Sequence, residues 1–188
     1  MGLMPGARGG RAALPRLAVA IAVALGTGCQ PEPLPEEAFL ALAPRLVQDA
    51  VALERARGLP ERAPLLLDVA SFAGNAVRAT GRVLPVARVD SALRARLPWR
   101  YRPTPHDSSY ACLETPLGPA CYVPDDGLYV RLVLMEREGE DRWAATVLTS
   151  RTRTDVVPPQ LCDRRYRFTY RRMDGDWRPV ARQVVRDC

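Results

Sequence analysis

The side-chain types of a hydrolase triad occur together in one short stretch, His106-Asp107-Ser108-Ser109. A triad requires a nucleophile, a base and an orienting acid that converge from separate elements, which four neighbours along a chain do not do. The sequence has no second histidine and no Gly-x-Ser-x-Gly motif around a serine. We therefore interpret this stretch as a polar loop and predict no catalytic residue in it.

Acidic side chains gather at three further places, Asp125-Asp126, residues 136–141 and residues 174–176. Each place lies beside a glycine in a predicted turn, where acidic residues are common because they hydrogen-bond the local backbone. None has the ligand spacing of a calcium-binding loop, and one histidine with widely spaced cysteines makes a poor zinc site. The chain also has no phosphate-cradling glycine loop, dinucleotide fingerprint or Cys-x-x-Cys motif. We predict no metal and no cofactor.

The amino terminus has the pattern of an export signal. Residues 1–28 contain three arginines and no acid, and residues 17–25 are nine consecutive apolar residues. A membrane-spanning helix needs about 20 apolar residues, so this run is too short to be an ordinary anchor. The small residues Thr27 and Gly28 then lead into Cys29. This arrangement resembles the signal peptide of bacterial lipoproteins.

The resemblance implies that residues 1–28 are removed and that Cys29 carries the lipid, palmitate included. The protein would then be exported and lipid-anchored in the cell envelope, with the membrane as its partner and its domain facing the periplasm or the exterior. Gln30 is not acidic, which is compatible with delivery to an outer membrane where the cell has one. Ordinary signal cleavage, which would give a lipid-free secreted domain, is the alternative.

Four further cysteines remain, an even number in an exported chain, where disulfides persist. Cys112 and Cys121 flank a Pro-Leu-Gly-Pro turn that brings two short strands together. Cys162 and Cys188 lie equally far from Gly175, and a hairpin centred there puts opposed Cα atoms about 4.5–5.5 Å apart, within disulfide range. The sequence thus predicts the pairs Cys112–Cys121 and Cys162–Cys188, with free thiols as the alternative.

The basic excess of the chain belongs partly to the predicted signal. All 27 basic residues are arginine, and with 21 acidic residues the formal charge is +6. Removal of the three arginines in residues 1–28 leaves 24 basic and 21 acidic residues, a charge of about +3. A mildly basic surface lacks the footprint of a nucleic-acid binder, so we predict no nucleic-acid partner.

The mature chain is predicted to consist of a proline-rich tether, residues 29–36, and a single domain, residues 37–188. Apolar residues at steps of three and four predict one helix from Phe39 to Leu53 and another over residues 86–97. A short apolar run at residues 65–69 fits either a buried strand or a helix segment, and we favour the strand.

From Ala111 onward the pattern changes to strands separated by turns. Six strands are predicted, at residues 111–114, 120–123, 128–138, 142–152, 161–173 and 177–186. No regular element is predicted for residues 71–82 or 98–110. The fold class is therefore α+β, with N-terminal amphipathic helices packed on a C-terminal antiparallel meander sheet that disulfides staple. The long final hairpin resembles the end of a cone-shaped fold of the nuclear-transport-factor-2-like type, which implies a fold but no functional residue.

The last long hairpin contains the most suggestive pattern for binding. Alternation over residues 164–172 places Tyr166, Phe168 and Tyr170 on one face and Arg165, Arg167 and Arg171 on the other. Stacking of nucleic-acid bases needs exposed aromatic rings beside the basic residues, and here the two sets face apart. The simpler interpretation has the aromatic rings in the core and the arginines in solvent. The hypothesis that remains is contact of the arginine face with an anionic envelope component.

These observations favour a membrane-tethered envelope lipoprotein whose domain binds or scaffolds rather than catalyses, with an anionic envelope component or another envelope protein as partner. An envelope enzyme or small-ligand binder, with a pocket between helices and sheet, is the competing hypothesis. A cavity lined by polar groups from several strands would favour the second hypothesis, and a filled apolar interior would favour the first.

Mass spectrometry of the non-reduced mature protein tests the processing and both disulfides together. We expect an acylated Cys29 as the first residue and the two predicted cysteine pairs, because the apolar run is followed directly by small residues and a cysteine. An unmodified amino terminus would remove the lipoprotein assignment. A Cys112–Cys162 linkage would overturn the hairpin register.

Overall fold

The computed structural model describes residues 32–188, so residues 1–28, Cys29 and the start of the predicted tether lie outside the described part. The described chain has three α-helices and eight strands: α1 (Glu36–Ala56), β1 (Leu65–Leu67), α2 (Val69–Thr80), α3 (Val86–Arg96), β2 (Tyr101–Pro103), β3 (Ala111–Thr115), β4 (Gly118–Tyr122), β5 (Leu128–Arg137), β6 (Arg142–Arg153), β7 (Gln160–Met173) and β8 (Asp176–Arg186). Of the helices in this described part, none is long and apolar enough to cross a membrane.

Six strands form one sheet in the order β2-β1-β5-β6-β7-β8, and β3 pairs with β4 in a separate ribbon. Strands β5 to β8 are antiparallel neighbours, whereas β1 is parallel to both β2 and β5. The α+β class with a mostly antiparallel sheet is therefore confirmed, but the prediction of a wholly antiparallel sheet is wrong at this edge. The reason is that α2 and α3 connect β1 to β2, and a crossover through helices returns the chain in the parallel direction.

Helix α1 coincides with the predicted amphipathic stripe. Its buried residues include Phe39, Ala43, Leu46 and Ala50. Pro44 lies within the helix, which continues past it to Ala56.

Helix α2 occupies a segment for which the sequence pattern predicts no element. Asp68 caps its first turn, because the Asp68 carboxylate accepts a hydrogen bond from the Ser71 N–H at 3.0 Å. Gly81 ends the helix with φ 68°, a left-handed conformation that glycine adopts without steric cost. Val69, Ala73, Ala76 and Ala79 are buried and follow one another at steps of three and four, so the apolar stripe of α2 and its two caps are visible in the sequence. The segment 98–110 likewise contains β2 and a short 3₁₀ turn.

Polar side chains of α2 fix the helix against an irregular point in β5. The ladder between β5 and β6 shifts register between Leu132 and Leu134. Asn75 Nδ2 donates to the Leu132 carbonyl at 3.1 Å, and Asn75 Oδ1 accepts from the Met135 N–H at 3.1 Å. The Leu132 N–H donates to Ser71 Oγ at 3.0 Å. These bonds satisfy backbone groups of β5 beyond Val130, where its pairing with β1 ends.

One apolar cluster is shared by the helices and one face of the sheet. Phe39 of α1, Phe72 of α2 and Phe168 of β7 are fully buried in it. Tyr166 and Tyr170 lie on the same face of β7 and are also buried, as the alternation predicts. The space between helices and sheet is therefore filled by side chains.

The four cysteines of the described chain form two pairs at disulfide distance, which supports the predicted disulfides. Cys112 and Cys121 are opposite each other in the β3–β4 ribbon with Cα atoms 4.1 Å apart. Cys162 and Cys188 have Cα atoms 5.4 Å apart. Two register shifts in the β7–β8 ladder leave this pair slightly offset from the symmetric hairpin that the sequence predicts.

Residues 32–35, the second half of the predicted tether, lie on the domain. Leu34 is buried, and its N–H donates to the Ala79 carbonyl at 2.8 Å. The Glu32 carbonyl accepts a hydrogen bond from Arg137 at 2.6 Å. We call the region around Leu34, Ala79 and Arg137 the entry end of the domain, since the described chain begins there. Helix α1 begins at this end, and α2 and β5 end there.

We expect Asn75→Ala to lower the free energy of unfolding by about 2–4 kcal/mol, because it leaves a carbonyl and an N–H of β5 without their buried partner. Urea denaturation with the disulfides intact measures the change. The control is Arg78→Ala, an exposed position on the same helix, with an expected change within about 0.5 kcal/mol. Equal effects of the two substitutions would contradict the role given to Asn75.

Candidate functional site

Two acidic residues lie on the apolar side of α1, where charged groups are rare. Asp49 is 8% exposed and Glu54 is 1% exposed. A carboxylate at this depth is strongly unfavourable unless hydrogen bonds and opposite charges replace its water. All the partners of Glu54 and two of the three partners of Asp49 come from the sheet, so these two residues connect α1 to β6, β7 and β8.

Glu54 has a complete set of partners. Its Oε1 accepts hydrogen bonds from the Thr149 and Tyr166 hydroxyls, each at 2.7 Å. Its Oε2 accepts a hydrogen bond from Arg164 Nη1 at 2.9 Å, and Arg151 Nε lies 3.6 Å from the same oxygen. Two neutral donors and two guanidinium groups therefore replace the hydration of one buried carboxylate.

Asp49, five residues before Glu54 on α1, has a similar arrangement. It accepts a hydrogen bond from the Tyr170 hydroxyl, with Arg45 and Arg182 at 3.7 and 3.8 Å. Burial raises the pKa of Tyr170, and its hydrogen bond to the Asp49 carboxylate raises it further. Burial and the bond to Glu54 raise the pKa of Tyr166 in the same way. Both tyrosines thus remain protonated and act as hydrogen-bond donors.

A cavity of about 460 Å³ opens beside Glu54, between the end of α1 and the ends of β6 and β7. Four guanidinium groups and two carboxylates line it: Arg57, Arg151, Arg153, Arg164, Asp155 and Asp187. We call this the arginine cavity. Since β6 runs from the entry end to this cavity over about 35 Å, at 3.3 Å per residue, the arginine cavity is at the opposite end of the domain, the far end.

The arginines of the cavity differ in how fully they are paired. Arg153 binds Asp155, and Arg164 binds both Glu54 and Asp187. Arg151 donates from Nη2 to the Arg57 carbonyl, while its buried Nε has no hydrogen-bond partner. Within the described part of the chain, Arg57 has no carboxylate at ion-pair distance and donates only to the Tyr166 hydroxyl at 3.3 Å, with its guanidinium 5.4 Å from the ring centroid.

The two acids at the cavity rim stay ionised at neutral pH. The hydrogen bond from Arg153 holds the pKa of Asp155 below its usual range, and the hydrogen bond from Arg164 does the same for the pKa of Asp187. Both acids are exposed, with 67% and 57% of their side chains accessible. An incoming anion would therefore compete with exposed carboxylates for the same guanidinium groups.

The residues of triad type do not assemble into a catalytic group. Asp107 and Ser108 are exposed, and Ser109 Oγ donates to the His106 carbonyl at 2.7 Å. His106 Nδ1 lies 3.4 Å from the hydroxyl of the buried Tyr129. Within residues 32–188, no serine hydroxyl forms a hydrogen bond with the His106 ring. Among the residues that the structure describes, no group of three or more His, Cys, Asp or Glu side chains could hold a metal ion.

The arginine face of β7 is partly occupied by acids of β5 and of the β5–β6 connection. Arg167 pairs with Glu136 and Glu138, and Arg171 pairs with Asp141. The hydrogen bond from Arg167 lowers the pKa of Glu138. Arg165 is exposed, and no ion pair of it is found in the described part of the chain. The proposed anion contact through Arg165, Arg167 and Arg171 stays a prediction, and two of its three residues are already paired.

The residues of the arginine cavity were not identified from the sequence. The sequence contains one signal for a buried ionic cluster: Asp49 and Glu54 fall on the apolar stripe of α1 rather than on its polar side. A charged residue at such a position predicts a buried partner of opposite charge or a hydroxyl donor. Nothing in the sequence indicates which of the 27 arginines that partner would be.

No protein-family model matches the chain, and no similar curated protein or solved structure is found. The resemblance to lipoprotein precursors and to the nuclear-transport-factor-2-like fold therefore stays a prediction.

We expect Glu54→Gln to lower the free energy of unfolding by about 3 kcal/mol or more, because it leaves the guanidinium groups of Arg164 and Arg151 without their buried carboxylate. The control is Glu37→Gln, an exposed acid of the same helix, with an expected change below about 1 kcal/mol. Both values come from urea denaturation. Similar losses for the two variants would mean that the Glu54 cluster does not stabilise the domain.

Proposed function

We propose that the protein is an exported, lipid-anchored envelope protein that uses the arginine cavity to bind an anionic ligand. The lipid anchor rests on the amino-terminal sequence pattern ending at Cys29. The anion-binding role rests on one observation, the four guanidinium groups around a cavity of about 460 Å³ at the far end. Carboxylate and phosphate groups match the planar donor pattern of arginine.

The pairing inside the cavity supports a binding role. Arg57 and Arg151 retain donors that no protein group uses, and Glu54 holds Arg151 and Arg164 in place from below. Because their positions are fixed by the buried carboxylate, little side-chain entropy is lost when an anion binds. The ligand class is a small carboxylate or phosphate compound, or the acidic group of a larger envelope component.

The competing hypothesis, an enzyme with its pocket between helices and sheet, has less support. That space holds the apolar cluster around Phe39, Phe72 and Phe168. The arginine cavity lies at the edge of the sheet and supplies positive charge, but it offers no evident nucleophile and base pair among the described residues. The resemblance of the final hairpin to a cone-type fold supports a proposal for the architecture and assigns no functional residue.

Calorimetric titration of the purified protein with inorganic phosphate and with citrate tests the binding role at low ionic strength. We expect saturable binding that weakens with added salt. Arg57→Ala should reduce the affinity about tenfold, the size of one lost charged hydrogen bond. Asp187→Asn should increase the affinity, because it removes a carboxylate that competes for Arg164.

The matched control for Arg57→Ala is Arg62→Ala, which removes the same charge from an exposed position between α1 and β1 that does not line the arginine cavity. Its affinity for both probes should change less than about twofold. Absence of saturable binding, or equal losses for the two arginine variants, would contradict the arginine cavity as the anion site.

A further inference from the structure

The small number of residues between Cys29 and the part of the chain bound to the domain limits how far the domain can be from a lipid on Cys29. Only three residue steps separate Cys29 from Glu32, whose carbonyl is hydrogen-bonded to Arg137. A fully extended chain of this length reaches about 10 Å. If Cys29 carries the lipid, the entry end must therefore lie at the surface of the bilayer, close to the lipid headgroups.

The entry end has apolar side chains in solvent. Val77 in the last turn of α2, Val83 in the α2–α3 connection and Val86 in the first turn of α3 are 41%, 82% and 48% exposed. They fall within ten residues of one another. The Asn75 contacts to Leu132 and Met135 orient α2 along β5, so its carboxyl end and this connection point to the entry end.

The charges of this segment are all positive. Residues 69–89 contain Arg78, Arg82 and Arg88 and no acid. Arg88 pairs with Glu36 and Glu37 of α1, while Arg78 and Arg82 are exposed and make no ion pair within residues 32–188.

Other charged groups at the entry end are more balanced. Arg137 is bonded to backbone carbonyls, including that of Glu32, and Arg171 pairs with Asp141. Glu32 and Glu140 are exposed. Arg142 and Arg172 are exposed at this end too and make no ion pair within residues 32–188. The α2–α3 connection differs in combining arginines of this kind with exposed valines.

We infer that the α2–α3 connection is a bilayer-contact surface, in which Val83 enters the boundary between headgroups and acyl chains and Arg78 and Arg82 contact lipid phosphates. This inference rests on the proposed lipid at Cys29. Valine side chains with flanking arginines are the composition expected of a segment that lies in this interface. One consequence is that the arginine cavity, about 35 Å away along β6, faces away from the membrane.

A bilayer fits this surface better than a second copy of the chain. A symmetric contact would bring Arg78 and Arg82 of two copies together, with no acid in residues 69–89 to compensate. The short reach from Cys29 to Glu32 also leaves little room for another protein between this surface and the headgroups.

The inference can be tested with the full chain, isolated in its processed form and reconstituted into vesicles that contain phosphatidylglycerol. Val83→Cys supplies a thiol for an environment-sensitive fluorophore at an exposed position, so the substitution leaves the core intact. Val157→Cys is the matched control, a valine that is 87% exposed in the β6–β7 loop at the far end. Mass spectrometry and flotation with the vesicles report the lipid anchor independently.

We expect quenchers carried by the lipids to reduce the emission at position 83 at least about twofold more than at position 157, and iodide in water to quench only position 157. Flotation with equal iodide quenching at both positions would overturn the contact surface while the anchor stands. Protection of position 83 from iodide without quenching by lipid would indicate a protein partner or a second copy and would also overturn it. Absence of an acylated, floating protein would overturn both proposals.

Charge reversal separates the arginine contacts from the anchor. In Arg78→Glu with Arg82→Glu, lipid quenching at position 83 should fall about twofold in anionic vesicles while flotation persists, because the lipid still holds the chain. Arg62→Glu, which changes the charge of an exposed residue between α1 and β1, should leave the quenching unchanged. Unchanged quenching in the double variant would contradict the role of Arg78 and Arg82.

Discussion

A buried carboxylate on α1 is the constraint on which the arrangement of this domain depends. Glu54 is taken out of water and must be satisfied by groups from two strands, the hydroxyls of Thr149 and Tyr166 and the guanidinium of Arg164. A helix that packs through apolar contacts alone can slide or rotate at modest cost, whereas a displaced Glu54 would leave a charge unpaired. Asp49 and Tyr170 impose the same condition nearer the middle of the helix. The register of α1 on the sheet is therefore set by polar pairs inside an apolar interface.

The two ends of the domain have different properties. At the far end, Glu54 orients Arg151 and Arg164 toward the cavity that we propose as the anion site. At the entry end, the chain is held by Leu34 and Arg137, only a few residues after Cys29. An anchored protein with this geometry would lie close to its membrane and present its binding site outward. Attachment and recognition would thus be separated along the length of one sheet.

The sequence predicted those parts of the fold that depend on periodicity and turns. Helix α1, the long strands β5 to β8 and both cysteine pairs follow from apolar spacing and from turn residues such as Gly175. Helix α2 was not predicted although the sequence holds its signals, because Val69, Ala73 and Ala76 recur at steps of three and four and Asp68 and Gly81 mark its ends. The parallel pairing of β1 could not be predicted, since three apolar residues do not specify a neighbour. The arginine cavity could not be predicted from the sequence, because its lining residues are about 100 positions apart and no local pattern links Arg57 to Arg164.

A double-mutant cycle between Glu54→Gln and Tyr166→Phe tests the central claim most directly, because it isolates the energy of this one contact from the rest of the core. The free energy of unfolding of the wild-type protein, both single variants and the double variant would be measured by urea denaturation with the disulfides intact. If Glu54 and Tyr166 act together to fix α1 on the sheet, the coupling energy is about 1 kcal/mol or more. Additive effects, within about 0.3 kcal/mol, would show that the two side chains stabilise the domain independently and would contradict the account.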